Sequence, residues 1–157
     1  AFSAKIKLKE GINMAVILAS SCLLGCECRY KGDGCKCDAL IKLAENNTII
    51  GVCPEQMGGL PTPRDPAERQ GDKVISCAGK DVTKAYTKGA ETALYFAKLN
   101  HVDFAVMKAK SPSCGKGLIY DGTFTGNKIP GNGVTVELLN ANGIPVFTED
   151  ELDQLPL

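Results

Sequence analysis

Three short apolar runs, Val16–Ala19, Thr48–Val52 and Val102–Met107, are far apart in the chain, and each leads into a loop that carries a cysteine. Runs of this length, rich in β-branched residues and without polar alternation, mark strands buried on both faces. Helical patterns separate them. Asp38 is placed to cap a short helix through Asn46, with Leu40, Leu43 and Ala44 on one face. The clearest helix opens at Asp81 or Thr83 and ends near Asn100, with Tyr86, Ala90, Ala93, Leu94 and Ala97 keeping the 3.6-residue period. A helix at about Thr135–Asn142, stopped by Gly143, precedes a last strand at Ile144–Phe147. Strands alternating with helices predict right-handed crossovers. The expected fold is therefore α/β: a single compact, Rossmann-like domain with a mostly parallel sheet flanked by helices. That domain is read as residues 14–157. Residues 1–13, upstream of Met14, are read as an N-terminal extension, native or added. GGLPTPRDPAE is too proline-rich for regular structure, and YDGTFTGNKIPGNG reads as a glycine-rich connection.

Composition narrows the function classes. Eighteen basic residues balance eighteen acidic ones, so no charge excess points to a nucleic-acid or membrane surface. No segment approaches the ~18 apolar residues of a membrane span. The AVILA run before Cys22 is shorter than the ~7–15 residues of a signal core and reads better as a strand. A cytoplasmic protein acting on a small molecule is expected, with self-assembly into an oligomer left open. The 157 residues can build a core without staples, so eight cysteines suggest metal binding or catalysis rather than a disulfide framework.

In an open parallel sheet the ligand site lies outside the carboxyl ends of the strands. Cys22, Cys53 and Cys114 all fall there. Three thiolates are one fewer than a closed structural zinc or iron–sulfur site uses. A [4Fe-4S] cluster held by three cysteines leaves one iron open to substrate. A catalytic zinc also keeps an open position but usually takes histidine, and the one histidine, His101, sits at a helix-to-strand turn. Soft, all-sulfur ligation favours iron–sulfur. The alternative is three separate cysteines packed in the core.

Six motifs occur in order: SCLLG (21–25), Cys28-Arg29-Tyr30, VCPE with GGLPTPR (52–64), Gly79-Lys80-Asp81-Val82-Thr83, SPSCG (111–115) and YDGTFTG (120–126). Together, over Ala15 to Glu149, they resemble the thiouracil/thiouridine desulfidase family. The resemblance implies an α/β protein with an oxygen-sensitive [4Fe-4S] cluster on three cysteines, which aerobic preparation is expected to strip. It implies removal of sulfur from a thiolated pyrimidine base or nucleotide without net redox change. By motif position the cluster ligands are Cys22, Cys53 and Cys114, the same three the topology selects.

The resemblance also implies catalytic roles for Glu55 and Ser111. Each lies within three residues of a ligand, so Glu55 is placed to carry a proton or activate water and Ser111 to orient substrate or water. Their alternatives are a helix-capping or loop-binding carboxylate and an ordinary turn serine. Weaker substrate-binding candidates are Arg64, read as an exposed loop arginine, and Gly131 and Gly133, whose amides are available to an anion unless they serve the turn. Cys26-x-Cys28 and Cys35-x-Cys37 leave a second metal site open, and Cys77 reads as a packing residue. Rival readings are a dehydratase at the same open iron and an iron–sulfur or zinc-binding sensor without catalysis.

Overall fold

The computed structural model describes residues 14–157, so the extension at 1–13 lies outside the described residues. In chain order the elements are β1 (Val16–Ser20), α1 (Asp38–Lys42), β2 (Thr48–Val52), α2 (Pro54–Met57), β3 (Ala67–Gln70), β4 (Lys73–Ser76), α3 (Thr83–Leu99), β5 (Phe104–Met107), β6 (Leu118–Tyr120), β7 (Lys128–Pro130), α4 (Val134–Ala141) and β8 (Val146–Thr148). The central sheet runs β2-β1-β5-β8 and every pairing in it is parallel. The α/β expectation holds.

Alternate residues of the two middle strands feed two cores. Leu18, Ala105 and Met107 pack with Ala93 and Ala97 of α3 and with Val136 and Leu139 of α4. Ile17, Ala19, Phe104 and Val106 pack on the other face with Leu23 and with Leu40 of α1. Burial on both faces explains the unbroken apolar runs. Each fully buried Leu, Ile or Phe contributes about 1.5–3 kcal/mol. Phe104 adds an edge-to-face contact with Phe147, the ring centroids 5.7 Å apart.

Several boundaries differ from expectation. The helix predicted over 38–46 stops at Lys42 and tightens into a 3₁₀ turn, Leu43–Glu45. Cys37, not Asp38, occupies its N-cap, with no side-chain cap bond, and Ala44 is exposed. The third strand begins at Phe104 rather than Val102, because the chain turns at His101, which is exposed at φ 51°. The last strand is shifted to Val146–Thr148.

Two antiparallel hairpins, β3–β4 and β6–β7, lie where connections were expected. Their buried positions are Glu68, Val74, Ser76 and Ile119. With a carboxylate and a hydroxyl among them, the apolar alternation that marks a strand is missing. Cys77 does not pack in the core: it follows β4 on the exposed turn.

Candidate active site

β1 and β5 are neighbours from which the chain proceeds in opposite directions, to β2 on one side and β8 on the other. Their carboxyl ends therefore frame a topological switch point. A cavity of about 470 Å³ opens there. Cys22, Cys53 and Cys114 all line it, with Glu55 and Ser111. Cys22 lies in the 3₁₀ turn Ser21–Leu24 directly after β1, and Cys53 is the residue preceding α2. Cys114 is buried in the turn that follows β5.

The loop that delivers Cys114 is tightly built. Ser111 Oγ accepts from the amides of Ser113 (3.1 Å) and Cys114 (2.9 Å). Ser111 is thus the turn serine of the alternative reading and a cavity-lining hydroxyl together. Gly133 and Gly131 are corrected. Their amides already donate to the carbonyls of Gly115 (2.7 Å) and Gly117 (3.2 Å), so neither is free for an anion, and neither lines the cavity. A Cβ on Gly133 would overlap the backbone of Ser113 and Cys114, so its role is close packing behind the cysteine turn.

Glu55 sits in the first turn of α2. α2 meets α3 at two glycines: a Cβ on Gly89 would strike the Pro54 carbonyl, and one on Gly58 would strike Ala85. This close approach brings Tyr86 to Glu55, its hydroxyl donating to Oε1 at 2.7 Å. Burial, and the adjacent Glu55 charge after it, push the phenol of Tyr86 far above its usual range, so it stays a neutral donor.

The same carboxylate oxygen accepts from Arg64 Nε at 3.2 Å. Arg64 is not the exposed loop arginine expected. Its side chain is 6% exposed. Its other nitrogens donate to Cys28 O (2.9 Å), Pro61 O (3.1 Å) and Thr62 Oγ1 (3.1 Å). A guanidinium with every nitrogen engaged holds the site's architecture and is not available to clamp a phosphate.

Sequence reasoning missed three cavity residues. Tyr86 was read only as core, although a buried phenol needs a polar partner. Cys28 was read as part of a motif and of a possible second metal site, not of this cavity. It is buried in the same cavity, and hydrogen bonding with Cys22, with burial adding to it, pushes its thiol up to about 11. Lys108, at the end of β5, lines the cavity and pairs with Glu149. Burial works against its charge, but Glu149 more than offsets this and its pKa is raised.

Cys26 is exposed, and the amides of Cys35 and Cys37 donate to the carbonyls of Cys22 (2.9 Å) and Leu23 (2.8 Å), bracing the Cys22 turn. Among the described residues no three His, Cys, Asp or Glu side chains converge on a single ion site. A larger group fits the donor set at the strand ends better. Hydrogen bonding with Cys28 and burial push Cys53 up, and burial pushes Cys114 up to about 12. Thiols crowded in this way ionise when a metal's positive charge replaces the proton. All the donors are soft sulfur.

The chain matches the family described as 2-thiouracil desulfurase over residues 17–151. It is 42% identical over 150 residues to a protein of Bacillus subtilis strain 168 named Uncharacterized protein YbbK, covering 89% of this chain and 99% of the relative. Among solved structures it is similar to the [4Fe-4S]-dependent thiouracil desulfidase TudS, at 44% identity and a TM-score of 0.83, covering 91% of this chain and 95% of that one. Among the described residues no helix is long and apolar enough to cross a membrane. The parallel sheet agrees with these matches, and the chain belongs to the 2-thiouracil desulfurase family.

Proposed function

We propose that this protein is an iron–sulfur-dependent desulfidase that replaces the sulfur of a thiolated pyrimidine by oxygen, using residues 14–157 as one catalytic unit. The observation that carries the reading is the meeting of Cys22, Cys53, Cys114 and Glu55 in one cavity at the sheet's switch point. Cys22, Cys53 and Cys114 would hold the cluster. When bound, a [4Fe-4S] cluster with three thiolate ligands supplies a Lewis acid at its open iron, able to take up the substrate sulfur.

The chain's own residues supply positioning and proton handling. The net change is thiocarbonyl plus water giving carbonyl plus hydrogen sulfide: a C–S bond breaks, a C–O bond forms, and no electron is gained or lost. Oε1 of Glu55 is committed to Tyr86 and Arg64, which leaves Oε2 as the oxygen that faces the reaction. Oε2 takes the proton of the attacking water and returns it to the departing sulfur. Ser111 Oγ accepts from two amides, so its hydroxyl proton is the part left to donate to substrate or water. The Arg64–Glu55–Tyr86 arrangement favours this reading over a metal sensor, which has no use for an anchored carboxylate.

The test is an anaerobic assay of iron-loaded protein over 2-thiouracil, 4-thiouracil and the corresponding nucleosides and nucleotides. Stoichiometric release of sulfide and the oxo-pyrimidine from at least one is expected. Absence of sulfide from all of them, with iron present, contradicts the proposal.

A further inference from the structure

The motif YDGTFTG has no role in the chemistry above, yet it forms the tip of the β6–β7 hairpin and reaches the cavity through Tyr120, Phe124 and Gly126. Phe124 stands out in it. Its φ is 57°, the left-handed region, where a bulky aromatic side chain is strained. Such strain persists only where surrounding bonds over-determine it. Here they do. The buried carboxylate of Glu68, through Oε1, accepts from the amides of Gly122 (3.0 Å) and Phe124 (3.2 Å). Asp121 Oδ1 accepts from the amide and hydroxyl of Thr123 at 2.9 and 2.6 Å.

The strain serves the placement of a ring that is not fully buried. Phe124 remains 37% exposed although it lines the cavity. Two other aromatic rings of the cavity lining already have a cation on one face: Lys31 lies 5.6 Å from the centre of Tyr30 and Lys128 lies 5.2 Å from that of Tyr120. Among the described residues neither a cation nor another ring occupies the face of Phe124.

We propose that Phe124 is the platform on which the substrate's pyrimidine ring stacks, so that this hairpin tip sets the preference for flat heteroaromatic substrates. This rests on the desulfidase reading. Stacking is made equally in ground and transition states, so it contributes to binding rather than to the chemical step. Loss of one base–aromatic contact corresponds to roughly 5- to 100-fold in affinity.

Phe124→Leu keeps apolar bulk and removes the π-face, while Phe124→Tyr keeps it; the position is exposed, so both variants should fold. With iron-loaded protein, Phe124→Leu should raise KM for 2-thiouracil roughly 5- to 100-fold at near-constant kcat, and Phe124→Tyr should stay within about threefold of wild type. Anaerobic calorimetry with uracil and 2-thiouracil provides a readout independent of turnover. If wild type releases no sulfide but binds these rings, and only Phe124→Leu loses that binding, the desulfidase reading fails and the platform stands. Equal binding and KM in wild type and Phe124→Leu overturns the platform, as does a fall in kcat alone or wild-type protein that binds neither ring.

Discussion

The hydroxyl of Tyr86 donates to Glu55 Oε1 at 2.7 Å, across a helix contact that requires glycine at 89. The bond fixes which carboxylate oxygen is available to the cavity. Tyr86→Phe removes one hydrogen bond to a charged acceptor and little volume. The expected result is a fall in kcat of roughly 10- to 100-fold, with KM and iron content unchanged. An unchanged kcat would mean that Arg64 alone orients Glu55.

Gly89→Ala forces α2 and α3 apart. Overpacking of this kind should cost about 1–3 kcal/mol of stability in denaturant titration. Sulfide release should fall as well, since the displaced helix carries Glu55. Lys88→Ala, on the exposed side of the same helix, should stay within about 0.5 kcal/mol of wild type. Equal effects of the two substitutions would remove the special role of the glycine contact.

Cysteine substitutions separate ligands from braces. Single Ser replacements of Cys22, Cys53 or Cys114 should abolish stable iron incorporation, because two thiolates do not hold the cube. The same change at Cys26, Cys35 or Cys37 should leave about four irons per chain. Full iron retention in any of the first three variants would take that residue out of the ligand set.

The strands of the parallel sheet, and the cysteines in the loops after them, were readable because burial on both faces leaves a local signature in Ile17, Leu18 and their counterparts in β5. The two hairpins were not readable. Their inward positions include Glu68, whose partners Gly122 and Phe124 come from a loop distant in sequence, and Ser76, whose hydroxyl accepts from the Lys80 amide in the adjoining turn. Arg64 shows the same limit. A proline-rich stretch gives no sign that its arginine is buried, and only the fold brings it to Glu55, nine residues away, and to the Cys28 carbonyl. Gly131 and Gly133 read equally well as anion donors or turn residues, and the carbonyls of Gly117 and Gly115 decide between the two.

Glu151 ties the carboxyl-terminal 3₁₀ turn to the cysteine loop through Lys116, at 2.8 Å, and accepts from the Thr148 amide at 3.1 Å. Burial works against its charge, but Lys116 and that amide more than offset it, so its carboxyl lies below the usual 4.5. Its contribution to stability is therefore present above that pH and is lost as the pH falls below it. Wild-type protein should lose stability more steeply than Glu151→Gln as acid is added below about pH 4.5. Parallel acid limbs would show that the pair is energetically silent.

Glu55→Gln, measured anaerobically on a preparation whose iron has been counted, addresses the central claim most directly. Glutamine keeps the reach of the side chain and loses the ability to take and return a proton. With wild-type iron content and substrate still perturbing the cluster's absorption, sulfide release should fall roughly 10²–10⁴-fold, the usual contribution of a positioned acid or base. Near-normal sulfide release from that iron-loaded variant would contradict the account and leave Glu55 as the structural partner of Arg64 and Tyr86.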